Sequence, residues 1–446
     1  MILHSASHIA LRLAPNSRYS DFLRDYQKKS GKADWTGMLL PPVIKAASPA
    51  AKPSANSKKH HENVSGLIKG GKATKFPASQ RGVHGIFTNR YPNGAWVKEA
   101  GIFKATALRS PGIDGVKLII NHKIGNRLVG SAGVISRLIN ARHSRQGRIP
   151  NGFKVNITLG GKDGVIEGAS ATMAMAVAVD SLFTGGELDD SFAVAGDVNP
   201  DGTVSAVGGI ADNIGCGLEG DYKLIGITDG NIRQVTDAYI LNGFEKFIGC
   251  QIFSFKFLDE AIALTSKEKP EHIQKSIDDF NKAAKVLKGK GISALKSDEV
   301  ILLLKEVLTR TPNHQSARVL LNLTNGESDK YLSLGVSFRQ IHHRVGKVQV
   351  IFAKLLAMKD LSVSTTDRKW LKKQSDELER VKTRLSPEIK GYSESTRQVF
   401  ALLAKGRLDG ENGQGYHKRF KAAWDKAKGE RMKLLKNPDI SKALTN

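Results

Sequence analysis

Between residues 84 and 265, apolar positions fall into short runs separated by glycine, and their spacing switches repeatedly between the period of a strand and that of a helix. Residues 101–108 and 116–121 predict two strands around a turn containing Pro111, Gly112, Asp114 and Gly115, and 153–159 predicts a third. Residues 191–197 and 204–207 predict two more on either side of an Asn199-Pro-Asp-Gly202 turn, and 224–228 forms a continuous apolar strand. Val134, Ile135, Leu138 and Ile139 have helical spacing within 131–142. Residues 169–179 form the longest uncharged apolar run and open a second helix, and Gly208-Gly209 opens a short third one. Strands and helices interleaved in this way predict an α+β domain over 84–265.

Beyond residue 266 the strand period vanishes. Val300, Leu303, Leu304, Val307 and Leu308, followed by Pro312, Leu320 and Leu321, predict a helix-turn-helix of tetratricopeptide type at 298–325. It is a single copy, where a stacked array needs about three. Residues 334–384 and 386–406 predict long helices, and 416–436 a basic amphipathic one with Phe420, Ala423, Trp424 and Ala427 on one face. Residues 266–446 are therefore expected to be a basic α-helical domain. Ahead of the α+β domain lie a short segment, 1–39, with a polar helix at 16–30, and a Pro/Ala/Ser/Lys-rich linker, 40–83. Within the linker Gly66-Leu-Ile-Lys-Gly-Gly-Lys-Ala73 approaches a phosphate-binding loop, but Ala73 replaces the magnesium-binding hydroxyl and no apolar strand precedes it. No nucleotide or other cofactor is implied.

The charge of +25 changes the picture because it is uneven. Residues 1–83 carry 14 Lys+Arg against 4 Asp+Glu, 84–265 carry 17 against 18, and 266–446 carry 37 against 21. Basicity thus belongs to the flanks, which admit nucleic acid as a partner or else are simply soluble lysine-rich helices. Two cysteines, Cys216 and Cys250, form neither a ligand cluster nor a disulfide framework, which suits a reducing compartment. The longest apolar run is about half of what a bilayer crossing needs. The first residues lack the basic and hydrophobic parts of an export signal, so a cytoplasmic location is expected.

Candidate chemistry lies at Asp163-Gly-Val-Ile-Glu-Gly-Ala-Ser-Ala-Thr172, where a loop becomes a helix. Ser170 at such a junction has two readings. It could be a nucleophile beside backbone N–H groups that have no helical partner and can hold an oxyanion, or an ordinary N-cap.

The order of motifs around it separates these readings. Gly125-Asn-Arg-Leu-Val-Gly-Ser131, residues 163–172, Leu182-Phe-Thr-Gly185, Ala195-Gly-Asp197 and Gly202-Thr-Val-Ser-Ala-Val-Gly-Gly-Ile210 occur in the order and spacing of the proteolytic domain of Lon, the ATP-dependent serine protease, which residues 84–265 resemble. The resemblance implies a fold like the second domain of ribosomal protein S5. It places the nucleophile at Ser170, with Glu167 where an aspartate is usual. Lon-type proteases pair this serine with a lysine whose neutral amine takes its proton. The resemblance puts that lysine at Asn213, and asparagine has no titratable nitrogen. The small hydroxyl residue that supports the lysine is replaced by Ala195, and Gly215 and Gly217 are expected to weaken the helix that would carry a base, by about 1 kcal/mol each. Lys223 is the best alternative amine in the sequence.

Two functions follow. One is a Lon-like serine endopeptidase, ATP-independent in this chain, acting on peptide or unfolded protein unless a separate ATPase partner feeds it. The other is a non-catalytic Lon-like scaffold, in which oligomer-forming surfaces are retained and the basic helices bind nucleic acid or protein.

Overall fold

In a computed structural model of the chain, the described residues are 80–91, 96–110, 112–126, 128–144, 152–160, 164–357, 365–406 and 413–440. The segment 1–39, residues 40–79 of the linker expected at 40–83 and the near-match at 66–73 lie outside them, and residues 80–83 of that linker belong instead to a strand, Gln80–Arg90. Contacts divide the chain into two units, one running through Lys330 and one beginning at Tyr331.

The first unit is built on an eight-stranded mixed sheet in the order β10-β9-β6-β1-β2-β4-β3, with β5 also paired to β1. The strands are β1 (Gln80–Arg90), β2 (Trp96–Arg109), β3 (Val116–Ile120), β4 (Phe153–Leu159), β5 (Val165–Glu167), β6 (Phe192–Val194), β9 (Leu224–Thr228) and β10 (Gln251–Phe255). β7 (Asp197–Val198) and β8 (Val204–Ser205) form a separate two-stranded ribbon. One half of the sheet, β10-β9-β6-β1, is parallel; β1, β2 and β4 are antiparallel neighbours, and β3 returns parallel to β4. All six predicted strands are present, five of them in this sheet and that at 204–207 as β8 of the ribbon, and β1, β5 and β10 add to the sheet.

The helices of this unit are α1 (Ser131–Ser144), α2 (Thr172–Thr184), α3 (Ile210–Glu219), α4 (Arg233–Asn242), α5 (Leu258–Thr265), α6 (Glu271–Lys290), α7 (Asp298–Arg310) and α8 (Gln315–Asn325). α2 is apolar on every side because every side is covered: residues 172–183 are all buried. It lies against β1 and β2 with very little clearance. A Cβ at Gly85 of β1 would stand 2.7 Å from the Ala174 Cβ and from Phe103 Cε2, so only glycine lets the helix approach this closely. α3 forms through both of its glycines. A Cβ at Gly217 would meet Ile225 Cδ1 at 2.5 Å, so this glycine gives α3 its seat on the sheet rather than weakening it.

β10 would leave an open row of backbone groups at the sheet edge. The turn before α8 covers it: Ser254 N–H donates to the Asn313 carbonyl, Asn313 Nδ2 donates to the Ser254 carbonyl, and Ile252 N–H donates to Ser316 Oγ. His314 is wholly buried there, its Nε2 2.9 Å from Gln251 Oε1 and its Nδ1 accepting the Ala317 N–H at the start of α8. Helices α6–α8 therefore pack within the same unit as the strands.

In the second unit the described elements are helical: α9 (Leu334–Ala357), α10 (Thr365–Val381), α11 (Lys390–Lys405) and α12 (Gly413–Leu434), with a short 3-10 turn ahead of α11. The long helix expected over 334–384 appears as α9 and α10, with 358–364 outside the described residues. No described helix is long and apolar enough to cross a membrane.

Candidate functional site

Ser170 sits in a 3-10 turn, Ala169–Ala171, that runs directly into α2. Gly168 enters this turn at φ 81°, a left-handed backbone that a side chain rarely adopts. Ser170 caps nothing: the cap positions are Gly168 for the turn and Ala171 for α2, and neither makes a side-chain cap bond. The N-cap reading of this serine is thereby set aside. The hydroxyl belongs to a residue only 4% exposed, and no hydrogen bond joins it to a described residue.

The turn is fastened on both sides. Upstream, β5 pairs with β1, and Glu167 accepts from Arg90 Nε at 2.9 Å. Gly125 makes room for that carboxylate, since a Cβ there would lie 1.9 Å from Glu167 Oε2. Downstream, the chain leaving β6 is zipped to the turn: Gly196 N–H donates to the Ser170 carbonyl at 3.0 Å, and Met173 N–H donates to the Gly196 carbonyl at 3.1 Å. The Thr172 hydroxyl accepts the Val198 N–H and lies 2.9 Å from Asp197 Oδ1. Burial raises the Asp197 pKa, with the Thr172 hydrogen bond opposing. Asp197 thus places a partly buried carboxyl one hydrogen bond from the residue two places after the nucleophile position. The sequence quoted it inside Ala195-Gly-Asp197 without giving it a role; its proximity arises only from the β6–α2 zipper.

Behind α2, Asp180 is fully buried, with Arg142 Nε and His143 Nε2 each 2.8 Å from its Oδ1; Arg142 also pairs with Asp259. Burial alone would raise the Asp180 pKa, but Arg142 and His143 outweigh it and hold the carboxylate below its usual range. This cluster ties α1, α2 and α5 together, fixing the helix that carries the turn.

The dyad position is different. Gly209, at φ 75°, opens α3, and Asn213 on its first turn is wholly buried. The loop before it is held by Asn231, whose Oδ1 accepts the Val207 N–H and whose Nδ2 donates to the Val207 carbonyl. Neither Oδ1 nor Nδ2 of Asn213 has a hydrogen-bond partner among the described residues. No hydrogen bond therefore links Asn213 to Ser170. Ala195 is also wholly buried, its N–H donating to the Gly226 carbonyl. Lys223, the alternative amine, is exposed at the entry to β9, so it occupies no desolvated pocket.

Ser170 is thus a buried serine in a tight turn feeding a buried helix, next to the backbone N–H groups of the helix start. Residues 95–240 match the family model of the Lon protease (S16) C-terminal proteolytic domain. Over this stretch the chain is similar to Lon-type proteolytic domains, which suggests a function of serine-peptidase type. The match covers about a third of the chain and begins after β1, although β1 is a central strand of the sheet. No curated protein matches the chain.

Proposed function

We propose that this Lon-type domain keeps the nucleophile position but no longer activates it, so that the chain acts as a non-hydrolytic module. The observation that carries this reading is Asn213, buried with both amide atoms unpartnered at the position the resemblance assigns to the dyad lysine. A base must take the serine proton for acylation, and an amide cannot. The isolation of the Ser170 hydroxyl and the exposure of Lys223 support the same conclusion. On this reading the S5 domain 2-like fold and the basic, all-α C-terminal region, 266–446, are kept for attachment. The partner is a protein or a nucleic acid met through the basic flanks, and the chain self-associates in a cytoplasmic setting.

The test is covalent labelling of Ser170 by a peptidyl boronate or an active-site-directed serine reagent, under conditions that modify a Lon protease. No adduct is expected, and stoichiometric labelling would overturn the proposal. In a companion assay, the nucleic-acid role requires salt-sensitive binding of the full chain to RNA or DNA at low ionic strength.

One observation favours a second reading, an ATP-independent endopeptidase acting on peptides or on substrates unfolded by a separate ATPase. Asp197 carries a carboxyl of raised pKa beside the turn, and a carboxyl shifted upward is a better proton acceptor. Hydrolysis of an unstructured peptide that disappears in both Ser170→Ala and Asp197→Asn would establish it.

A further inference from the structure

We propose, resting on the attachment role given above to the basic helices, that the outward face of α12 is a docking surface for the phosphate backbone of double-stranded DNA, bound without regard to sequence.

Charge within 266–446 is itself uneven. Residues 266–330 carry 12 Lys+Arg against 9 Asp+Glu, and 331–446 carry 25 against 12. The excess therefore lies in the helical unit that begins at Tyr331 and not in α6–α8. Within that unit α10 holds five basic against four acidic residues, and its Glu377 and Glu379 take up Arg344, Lys373, Lys382 and Arg397. α12 holds seven against two.

The two sides of α12 differ. Tyr416, Phe420, Ala427 and Arg431 are buried, and the helix packs on α11. On the opposite side Lys418, Lys421, Ala422, Lys426, Gly429 and Lys433 are all exposed. A line along the helix through Ala422 and Gly429 has Lys418 and Lys421 on one flank and Lys426 and Lys433 on the other. Lys433 pairs with Glu430, and no described carboxylate forms an ion pair with Lys418, Lys421 or Lys426.

The chemistry of this face selects the partner. Lysine is a compact point charge suited to phosphate, whereas the planar arginine fork reads base edges. The arginines of α12 are elsewhere: Arg431 is buried and Arg419 lies over the Tyr416 ring. Aromatic rings are elsewhere too, since Tyr416 and Phe420 are buried and Trp424 stacks on Phe420, so unpaired bases find no platform. A lipid surface is entered by the apolar side of a helix, and that side of α12 is occupied by α11. The major groove of B-form DNA is about 12 Å wide, admits a helix of about 10–12 Å, and has phosphates on both rims, whereas that of duplex RNA is too narrow. Lys418 to Lys433 span about 22 Å of helix, and a duplex carries one negative charge per about 1.7 Å.

The test uses the full chain. Fluorescence anisotropy of a labelled duplex DNA of mixed sequence is titrated at several salt concentrations from about 50 to 200 mM. One variant combines Lys418→Gln, Lys421→Gln, Lys426→Gln and Lys433→Gln, at exposed positions where glutamine keeps the helix propensity of lysine. A control combines Lys275→Gln, Lys285→Gln, Lys288→Gln and Lys290→Gln on α6, also exposed, for the same change in net charge. The log of the wild-type binding constant should fall linearly with log salt, with equal affinity for a second, unrelated sequence. The α12 variant should lose about 3–4 units of that slope, at about 0.9 per phosphate contact, and the control should keep it. If the fourfold variant does not fold, the single replacements decide, each expected to lose about 1 unit. Equal losses in both variants, or none in the α12 variant, would overturn this surface and leave the attachment reading standing. No salt-sensitive binding to any duplex or single strand would end both this surface and the nucleic-acid form of that reading. Tighter binding of duplex RNA, single-stranded DNA or phosphatidylserine vesicles than of duplex DNA would overturn the proposal.

Discussion

Replacing Asn213 by lysine introduces the group that the proposed reading finds missing, at a position whose burial lets the consequences be worked out. Asn213 is 0% exposed, and no described residue makes a hydrogen bond to its side chain. A lysine there would be desolvated, and fully buried lysines titrate as low as about 5–6 against an ordinary value near 10.4. At pH 7 the folded protein would then hold this amine neutral, at a cost of about 4–5 kcal/mol relative to the unfolded chain. Removing an amide with two unsatisfied atoms returns about 1–3 kcal/mol. The net loss for Asn213→Lys is therefore about 1–4 kcal/mol at pH 7. The sign with pH is fixed: the unfolded state binds the extra proton, so stability of the variant rises as pH increases toward about 10.4 and meets its maximum above it. Urea unfolding of both proteins from pH 7 to 10 measures this slope, and labelling of Ser170 by a peptidyl boronate on the same samples measures activation. If the variant tracks the wild type within about 0.5 kcal/mol across that range, position 213 is not desolvated and the reasoning fails. If the slope appears while Ser170 stays unlabelled, the lost base is not what silences the site.

Three further outcomes follow from the packing around the turn. Gly85→Ala forces a Cβ to 2.7 Å from Ala174 Cβ and Phe103 Cε2, and should cost about 2–3 kcal/mol in chemical denaturation because the buried Ala174 methyl has no rotamer through which to yield. Asp180→Asn leaves Arg142 and His143 facing a neutral group and should cost about 3–5 kcal/mol near pH 7. Because Asp180 is held below its unfolded pKa, its contribution is present above about pH 3.9 and is lost as pH falls through the folded value, so wild type and variant should converge in acid unfolding curves. Burial holds His314 at a pKa of about 3, so the unfolded chain takes up this proton first. Stability should fall as pH drops from about 6.5 toward 3, by up to about 5 kcal/mol, and His314→Asn should flatten that slope in an acid titration followed by circular dichroism.

The fold was legible where a segment's own pattern matched its burial. β3 and β9 are short apolar runs, β4 alternates apolar and polar residues, and α2 begins in the uncharged run 169–179, too long for a strand. β1 was not legible, although it is central to the sheet. Gly82, His84 and Gly85 interrupt its apolar period, and the reason for Gly85 is a helix from elsewhere in the chain. β10 hides for another reason: all five residues are buried, so the alternation that marks a half-exposed strand is absent, and polar Gln251 is satisfied by Ile277 and Asn281 of α6 and by His314, and Ser254 by Gln315 at the start of α8. The glycines of α3 misled because propensity counts only the helix, whereas Gly217 is set by Ile225 and Ile86 across the interface.

At the site, a serine and an asparagine could be located by motif spacing, but the sequence could not say what surrounds them. The proposed non-hydrolytic reading rests on those surroundings. A replacement base would have to reach the Ser170 hydroxyl, yet no hydrogen bond joins that hydroxyl to a described residue, and Lys223 is exposed. The scaffold meanwhile remains closely specified: the Gly196 and Met173 hydrogen bonds hold the turn, Gly125 admits Glu167, and the Arg142–Asp180 pair anchors α2. A site losing function through general destabilisation would show loose packing there first. Here the turn is still built, while at position 213 a buried amide remains without partners. Leaving that amide unmatched costs about 1–3 kcal/mol, which Asn213→Leu should recover in denaturant unfolding. A loss of stability in Asn213→Leu would mean that the amide has a polar partner in solution, and position 213 would then have to be reconsidered as a functional residue.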